Sequence, residues 1–314
     1  MKKFIITLIC FSALLLLMCT AIEIGLLFRP NVYAYKRQYM ENHLNDIRVL
    51  LLGSSHVEEA VKPELIGEGT FNLAISARLK EYDAALAEMY VPRMEKLEVL
   101  VMPVDYTNFF FNREIPDKPS GQAGVNLVST CRCMHTKYMG TRIDPIWYWS
   151  EILNSKLNFM SRFWNVNEQV LRECDSLGYV RLDIKDRKAG WEQLAKPAEM
   201  DSNKEINQKE YQEQWDIYES VAKVTQKHGV RLLLITTPVN EYYQKAMNNT
   251  MLNDIYQFAH ELQQKYPNVE FHDFFYADGL VDDDFHDASH LNDSGAVKFS
   301  KLLSEVIHAH HPQN

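Results

Sequence analysis

The chain has 314 residues, of which 46% are hydrophobic and 24% charged, and its formal net charge is -9. This composition is typical of a folded protein with a substantial core and excludes a disordered or low-complexity chain. The acidic balance offers no basic surface that could neutralise a phosphate backbone, so we expect no nucleic-acid partner.

The N-terminus has the features of a membrane segment. Lys2 and Lys3 precede an uncharged run over residues 4–22, which at ~1.5 Å per residue approaches the ~30 Å hydrocarbon thickness of a bilayer. Basic residues on its short side predict a cytoplasmic N-terminus and an extracytoplasmic remainder. Because a cleaved signal peptide shares these features, two alternatives stay open: a single-pass anchor at 1–28, or a signal sequence and a secreted protein.

The five cysteines fall into two groups. Cys10 and Cys19 lie in the apolar segment, whereas Cys131, Cys133 and Cys174 belong to the remainder of the chain. In an oxidising compartment Cys174 could pair with either of the other two. Three ordinary thiols are the alternative, since no second ligand pair with zinc spacing accompanies Cys131 and Cys133.

Beyond a polar connector at 29–46, short apolar runs alternate with helical patterns, which is typical of parallel βαβ units. We therefore predict one α/β domain over residues 47–314. A long interval at about 106–205 interrupts the alternation; its aromatic residues predict core filling, with a wall facing the substrate as the alternative. The predicted strands cover residues 47–52, 70–74, 97–104, 230–237 and 269–274.

This pattern predicts a three-layer fold with a five-stranded parallel sheet, a long insertion and a preceding transmembrane helix. In such open sheets, ligands bind at the carboxyl ends of the strands. The polar residues that directly follow the predicted strands are therefore the first candidates for a site.

Gly53-Ser54-Ser55-His56 follows the first predicted strand. A serine hydroxyl is a weak nucleophile without a base, and the stretch alone fits an ordinary polar turn as well. We interpret His56 as a wall or packing residue, because a neighbour in sequence rarely has the geometry to be the base of Ser55.

A second polar stretch, Phe285-His286-Asp287-Ala288-Ser289-His290-Leu291-Asn292, precedes the last predicted helix. His290 could act as a general base, and Asp287 could hold its other ring nitrogen. The acidic loop that begins at Asp282 could instead bind a metal. No comparable group follows the other strands, so we expect neither a metal nor a cofactor.

Together these stretches resemble the SGNH (GDSL-like) hydrolase superfamily, whose sheet is flavodoxin-like. The matching motifs are Gly53-Ser54-Ser55, Phe71-Asn72-Leu73-Ala74 and Asp287-Ala288-Ser289-His290-Leu291-Asn292. The segment from Thr237 to Tyr243 is similar to a Pro-x-Asn segment of its membrane-anchored branch. That branch includes the D-alanyl-lipoteichoic-acid transfer protein and bacterial polysaccharide O-acetyltransferases. The likeness covers about residues 47–106 and 230–308.

The resemblance implies that Ser55 is the nucleophile, His290 the base and Asp287 the residue that orients the base. Two oxyanion-hole donors of the family lack a clear match: the glycine after the second strand, and an asparagine after the third strand, where the chain reads Met102-Pro103-Val104-Asp105. The backbone N–H of Ser55, with help from Asn72 or Asn108, is the expected replacement.

The resemblance and the anchor together predict an extracytoplasmic serine esterase or acyltransferase. Its expected reaction is O-acyl or O-acetyl transfer, or ester hydrolysis, on a cell-envelope glycan. A multi-spanning membrane protein is the expected source of the acyl group. The alternatives are a non-catalytic, membrane-anchored assembly or glycan-binding factor with the same fold, and a metal-dependent phosphoesterase.

Overall fold

The computed structural model describes residues 1–27, 31–104, 131, 133–136, 174–194 and 208–309. Five parallel strands form the centre of the fold, which confirms the predicted α/β class. The strands are β1 (Val49–Leu51), β2 (Thr70–Asn72), β3 (Val99–Pro103), β4 (Arg231–Ile235) and β5 (Val269–His272).

The strands lie side by side in the order β2-β1-β3-β4-β5, and every neighbouring pair is parallel. The chain therefore moves outward from β1 to β2 and then returns to place β3 on the other side of β1. This reversal opens a crevice beyond the carboxyl ends of β1 and β3, which is where open α/β sheets bind their ligands.

Helices cover both faces of the sheet, as parallel strands with apolar side chains on both faces require. The α-helices of the described residues are α1 (Lys2–Leu27), α2 (Val32–His43), α3 (Ser55–Glu58), α4 (Lys80–Tyr90), α5 (Gln208–Lys227), α6 (Glu241–Ala246), α7 (Asn249–Lys265) and α8 (Asp293–His308), of which α1 does not cover the sheet.

Side chains along each strand alternate between two apolar layers, because successive residues of a strand point to opposite faces. Leu50, Leu100 and Leu232 belong to the larger layer, with buried residues of α2, α4, α5 and α7. Their neighbours Val49, Val99 and Leu233 join the layer under α8, which includes Phe299, Leu303 and Ile307. The result is the predicted three-layer arrangement.

The strands are shorter than the apolar runs that predicted them. Leu52 and Leu73 lie beyond the ends of β1 and β2, yet both are completely buried. Burial, rather than strand pairing, determines the length of an apolar run, so the predicted ends extend past the ladder.

The predicted polar connector at 29–46 contains a helix that packs into the core. Tyr39 of α2 stacks on Phe71 of β2 with 4.0 Å between ring centroids. Helix α2 thus covers the edge of the sheet where β2 lies. Its buried residues are Val32, Tyr33, Lys36 and Met40.

Helix α1 is apolar and exposed along its length. Its window Lys2–Gly25 is long and apolar enough to cross a bilayer. Large side chains such as Phe4 and Leu16 have no protein contact that buries them. These properties belong equally to a signal sequence and to a membrane anchor.

None of the five cysteines forms a disulfide in the structure. Cys131 and Cys174 are buried, and Cys133 is partly buried. Of the two alternatives for Cys131, Cys133 and Cys174, the structure therefore has three thiols without a disulfide.

Candidate active site

The nucleophile turn, residues 53–58, begins where β1 ends. Gly53 has φ +134°, and a Cβ there would lie 2.8 Å from the side chain of Pro103. Only glycine combines this backbone conformation with such a close approach. Ser54 precedes α3, and Ser55 is its first residue. The glycine therefore allows the chain to turn sharply and present Ser55 at the crevice beside β3.

The base loop, residues 285–291, closes on itself. Phe285 and Leu291 form an isolated antiparallel bridge. One carboxylate oxygen of Asp287 accepts hydrogen bonds from the backbone N–H groups of Ser289 and His290, both at 2.9 Å. An aspartate that accepts from residues just after it in this way forms an Asx turn. The turn brings the imidazole of His290 back to the carboxylate.

Ser55, His290 and Asp287 form a continuous chain of hydrogen bonds. His290 Nδ1 lies 2.9 Å from both carboxylate oxygens of Asp287. Because an ionised carboxylate only accepts, Nδ1 carries the proton in this tautomer and Nε2 is left as the acceptor. Ser55 Oγ lies 2.9 Å from that Nε2. The hydroxyl therefore donates to a nitrogen that can take its proton.

Burial and neighbouring charges set the protonation states of this pair. Burial lowers the pKa of His290, and the hydrogen bond from its ring to Asp287 opposes that effect only in part. Burial alone would raise the pKa of Asp287, but the hydrogen bond and charge of His290, with two backbone N–H groups, lower it overall. At neutral pH the pair is therefore a neutral imidazole beside a carboxylate.

Glu59 lies near this carboxylate but carries no charge at neutral pH. Burial raises the pKa of Glu59 to about 8, and the charges of Glu58 and Asp287 add to that effect. The Glu59 backbone N–H donates to Ser55 O at 3.0 Å, so the residue follows the nucleophile by one turn. Its protonation keeps another negative charge away from the base.

His56 packs behind the base, as its interpretation as a packing residue predicts. Its ring lies 4.7 Å from the ring of His290, centroid to centroid. His56 Nε2 is 3.3 Å from Ser289 Oγ. Ser289 Oγ also lies 3.2 Å from His290 Nδ1, so these two buried residues form the rear wall of the base.

Asn72 cannot serve as the oxyanion donor suggested by its place after the second strand. Its side-chain amide donates to the carbonyls of Val57 and Val61, both at 3.0 Å. Its side-chain oxygen accepts from Ala74 N–H at 3.1 Å. Both ends of the amide are therefore bonded inside the fold, where they fasten the nucleophile turn to β2. Asn108, the other suggested donor, lies outside the described residues, as does Asp105.

The segment after β2 contains one amide group that sequence reasoning missed. The N–H of Ile75 donates to Gly53 O at 3.0 Å, and that of Ser76 to Glu58 Oε2 at 2.7 Å. Ala77 follows with φ +57°, a left-handed conformation unusual for a residue with a Cβ. Within the described residues, its N–H forms no hydrogen bond. No composition or spacing signal marks an alanine for this conformation.

Two buried ion pairs flank that segment. Lys36 Nζ lies 2.9 Å from Glu58 Oε1, and both side chains are at most 5% exposed. On the other side, Arg78 Nε donates to Asp83 Oδ1 at 2.7 Å, and Gly53 N–H donates to the same oxygen at 3.2 Å. The sequence gives no hint of the first pair, because its partners lie 22 residues apart.

The acidic stretch that suggested a metal site is bonded to neighbouring protein groups. Asp284 accepts from Lys298 Nζ and from Ser294 Oγ, at 2.6 and 2.9 Å. Asp283 pairs with Arg187 at 3.3 Å. Across the described part of the chain, no three His, Cys, Asp or Glu side chains converge as a metal would need.

The Pro-x-Asn segment supports the base loop. Asn240 N–H donates to Ala288 O at 3.0 Å, and its side-chain amide donates to Asp282 Oδ1 at 2.9 Å. Its side-chain oxygen also accepts from Tyr242 N–H at the start of α6. Asn240 therefore connects the end of β4 to the loop that holds Asp287 and His290.

The described part of the interval at 106–205 touches both halves of the site. Leu177 O accepts from Asn72 N–H at 2.9 Å, and Val180 N–H donates to Glu58 O at 3.1 Å. Leu194 O accepts from Ala288 N–H at 3.3 Å on the other side. The aromatic residues between 147 and 164 that predicted core filling lie outside the described residues.

No protein-family model matches the chain. No curated protein matches it either. Similar solved structures include a "putative platelet activating factor" from Streptococcus pneumonia, at 13% identity and a TM-score of 0.41, covering 96% of this chain and 99% of that chain.

Two others come from Bacteroides species. One, described as a "putative acylhydrolase" from Bacteroides fragilis, has 10% identity and a TM-score of 0.40, covering 87% of this chain and 93% of that chain. The other, a GDSL-like lipase from Bacteroides thetaiotaomicron, has 11% identity and a TM-score of 0.41, covering 88% and 98%. Similarity at this level assigns neither a substrate nor an activity to this chain.

Proposed function

We propose that this protein is an extracytoplasmic, membrane-tethered serine enzyme that forms an acyl-serine at Ser55. The observation that carries the proposal is the chain of hydrogen bonds from Asp287 through His290 to Ser55 Oγ. It lies at the crevice of the sheet, where the backbone turn at Gly53 presents the hydroxyl. Asp287 orients the base, His290 accepts the proton and Ser55 is the nucleophile.

The reaction has two halves. In the first half, Ser55 Oγ attacks the acyl carbonyl carbon while His290 Nε2 takes the hydroxyl proton. The bond between the carbonyl carbon and the leaving oxygen then breaks, and His290 gives the proton to that oxygen. In the second half, water or a sugar hydroxyl attacks the acyl-serine and gives its proton to His290. The acyl group leaves with the acceptor, and Ser55 regains its proton. The acceptor that occupies the site decides between hydrolysis and transfer.

The oxyanion of each half needs donors that are already in place. We assign this role to the backbone N–H of Ser55 and, in place of Asn72, to that of Ala77. The left-handed backbone of Ala77 and its N–H without a partner in the described residues support this assignment.

The proposed substrate is an acyl ester and a cell-envelope glycan, with O-acyl or O-acetyl transfer as the reaction. A multi-spanning membrane protein would deliver the acyl group. The apolar helix α1 supports this assignment, together with the sequence resemblance. Full activity of the purified domain on soluble glycan, with no membrane component, would refute the membrane partner.

Covalent labelling with a fluorophosphonate probe tests the nucleophile. We expect an adduct that peptide mapping places on Ser55, and its loss in Ser55→Ala, because removing a member of such a triad typically costs ~10⁴–10⁶ in rate. Ser54→Ala is the matched control: Ser54 is adjacent and buried, and its side chain makes no capping hydrogen bond. An adduct that persists in Ser55→Ala, or that maps to another residue, would contradict the assignment.

One observation favours a second candidate function. Asn72 has no amide hydrogen available for a substrate, so the site has fewer side-chain donors than a complete oxyanion hole. A non-catalytic, membrane-anchored assembly or glycan-binding factor would need no oxyanion donors. That candidate predicts that a cell expressing Ser55→Ala keeps its wild-type envelope, whereas the enzyme predicts loss of the modification.

A further inference from the structure

The helix nearest the apolar N-terminal segment reaches into the candidate active site through one lysine. Only residues 28–31 separate α1 from α2. Lys36 of α2 is completely buried. Its ammonium group donates to Glu58 Oε1 at 2.9 Å and to the backbone carbonyl of Ala74. Its partners belong to the nucleophile turn and to the segment after β2.

Glu58 connects this contact to the segment after β2. Glu58 is the last residue of α3, which begins with the nucleophile Ser55. Its second carboxylate oxygen accepts the N–H of Ser76 at 2.7 Å. One oxygen of Glu58 therefore bonds to Lys36, while the other fixes the residue directly before Ala77.

The segment is fastened on its other side as well. Arg78 Nε donates to Asp83 Oδ1 at 2.7 Å, and the same oxygen accepts Gly53 N–H at 3.2 Å. Ala77 thus lies between two buried charged attachments to the nucleophile turn. A left-handed backbone at a residue with a Cβ persists only where its surroundings determine it, and such positions cluster at functional sites.

A buried Lys–Glu pair is a poor device for stability alone. The desolvation penalty of two buried charges is about as large as the attraction between them. Apolar residues of similar volume therefore often give the fold equal or greater stability. An apolar pair could fill this space, but it could not accept the N–H of Ser76. The charged pair, unlike an apolar pair, fixes the orientation of the Ser76 backbone through its N–H.

We propose that Lys36 is a positioning residue of the active site, which makes helix α2 a working part of the catalytic unit. Through Glu58, it holds residues 76–77 against the nucleophile turn and so keeps the Ala77 N–H aligned with Ser55. The proposal deepens the acyl-serine function and rests on it for the effect on rate. The effect of Lys36 on the position of residues 76–77 can be measured even if Ser55 forms no acyl intermediate.

The test compares full-length variants in detergent. Lys36→Met leaves Glu58 buried without a partner, so the double variant K36M/E58M, which removes both charges at similar volume, is the informative one. Glu41→Gln is the matched control, because it breaks the partly exposed pair of α2 with Arg93, away from the site. The measurements are the melting temperature, the rate of fluorophosphonate labelling, and amide hydrogen exchange in a peptide covering residues 73–79.

We expect K36M/E58M to melt near the wild-type temperature, because the removal of two buried charges offsets the lost hydrogen bonds to Ser76 and Ala74. Its labelling should nevertheless fall about 10- to 100-fold, the loss expected for an ~1 Å misplacement. Exchange in residues 73–79 should quicken, while E41Q keeps wild-type labelling and exchange. Wild-type labelling and exchange in the double variant would overturn the proposal. A double variant that melts far below the wild type would also overturn it, because the pair would then serve stability.

Failure of the proposed function gives a different pattern. If folded wild-type protein forms no adduct at Ser55, the acyl-serine function fails, and hydrogen exchange alone decides the role of Lys36. Faster exchange confined to residues 73–79 of K36M/E58M then supports positioning by Lys36. Unchanged exchange refutes it.

Discussion

Asp287 shapes the base loop and orients the ring of His290, the proposed base, with the same carboxylate. It accepts the N–H groups of Ser289 and His290 and the ring Nδ1 of His290, all at 2.9 Å. The backbone bonds fix the turn, and the turn fixes the imidazole. A substitution at Asp287 would therefore disturb the loop and the base together.

The environment of His290 predicts an unusual pH dependence. Burial disfavours the imidazolium, so the ring of His290 takes up its proton only below the ordinary histidine pKa of about 6.5. Since the neutral ring is the proposed base, the rate of Ser55 labelling should stay constant down to that pH and fall only below it. The neighbouring titratable groups are Asp287, His56, His286 and Glu59.

The measurement is the labelling rate from pH 4.5 to 8, with the midpoint of the acid limb as the result. His56→Gln tests the contribution of the neighbouring histidine, because the charge of His56 also lowers the pKa of His290. We expect this variant to move the midpoint upward. A wild-type midpoint at or above about 6.5 would contradict the lowered pKa.

Local motifs made part of the site predictable at the scale of residues. Asp287 and His290 are three positions apart, so their pairing depends on one turn and is visible in the sequence. The sequence suggests Asn72 as an oxyanion donor but cannot show that its amide donates to carbonyls on the nucleophile turn. Lys36 escaped notice because a lysine within a polar stretch looks solvated, and its burial depends on Glu58 from another element.

At the scale of elements, strand positions followed from apolar runs, whereas the role of α2 did not. Buried parallel strands are apolar on both faces, which makes β1, β3 and β4 easy to recognise. Helix α2 has a narrow apolar face and several charged residues, so its sequence resembles a connector. Its buried residues and its stack on Phe71 of β2 show that it belongs to the core.

The helix after the base loop has a cap that also supports the site. Asn292 accepts the N–H groups of Ser294 and Gly295 at the start of α8, and its amide donates to Asp283 O at 2.7 Å. Asn292→Ala should destabilise the fold by ~1–2 kcal/mol, as the loss of such a cap typically does. Since Asp283 precedes the base loop, labelling of Ser55 should also slow.

Chemical denaturation measures the first effect, and the labelling rate of the folded protein measures the second. Asn248→Ala is the matched control, because Asn248 caps a different helix, α7, by accepting the N–H groups of Thr250 and Met251. It should cost similar stability and leave labelling unchanged. Equal labelling in both variants would contradict a role for the Asn292 cap in the site.

At the scale of the whole molecule, α2 sets where the folded unit begins. The sequence predicts a domain that starts at residue 47, but α2 buries Val32, Tyr33 and Met40 against it. Fully buried apolar side chains contribute ~1.5–3 kcal/mol each, so a chain that starts at Ile47 should lose on the order of 5 kcal/mol. A chain that starts at Asn31 keeps these contacts and should match the full-length protein.

Thermal unfolding followed by circular dichroism compares the two truncated chains. The difference should appear as a lower melting temperature and broader unfolding for the shorter chain. Equal melting temperatures would place the boundary at residue 47 and reduce α2 to an accessory helix.

The two halves of the proposed catalytic group lie 235 residues apart in the sequence, although their atoms are 2.9 Å apart in space. During synthesis, Ser55 leaves the ribosome well before His290. Contacts between such distant residues form late in folding, because the whole intervening chain must first be ordered. A polypeptide still being synthesised, or one broken before residue 290, therefore carries a serine with no base. The proposed base can therefore reach the Ser55 hydroxyl only after the residues between them have been synthesised and folded.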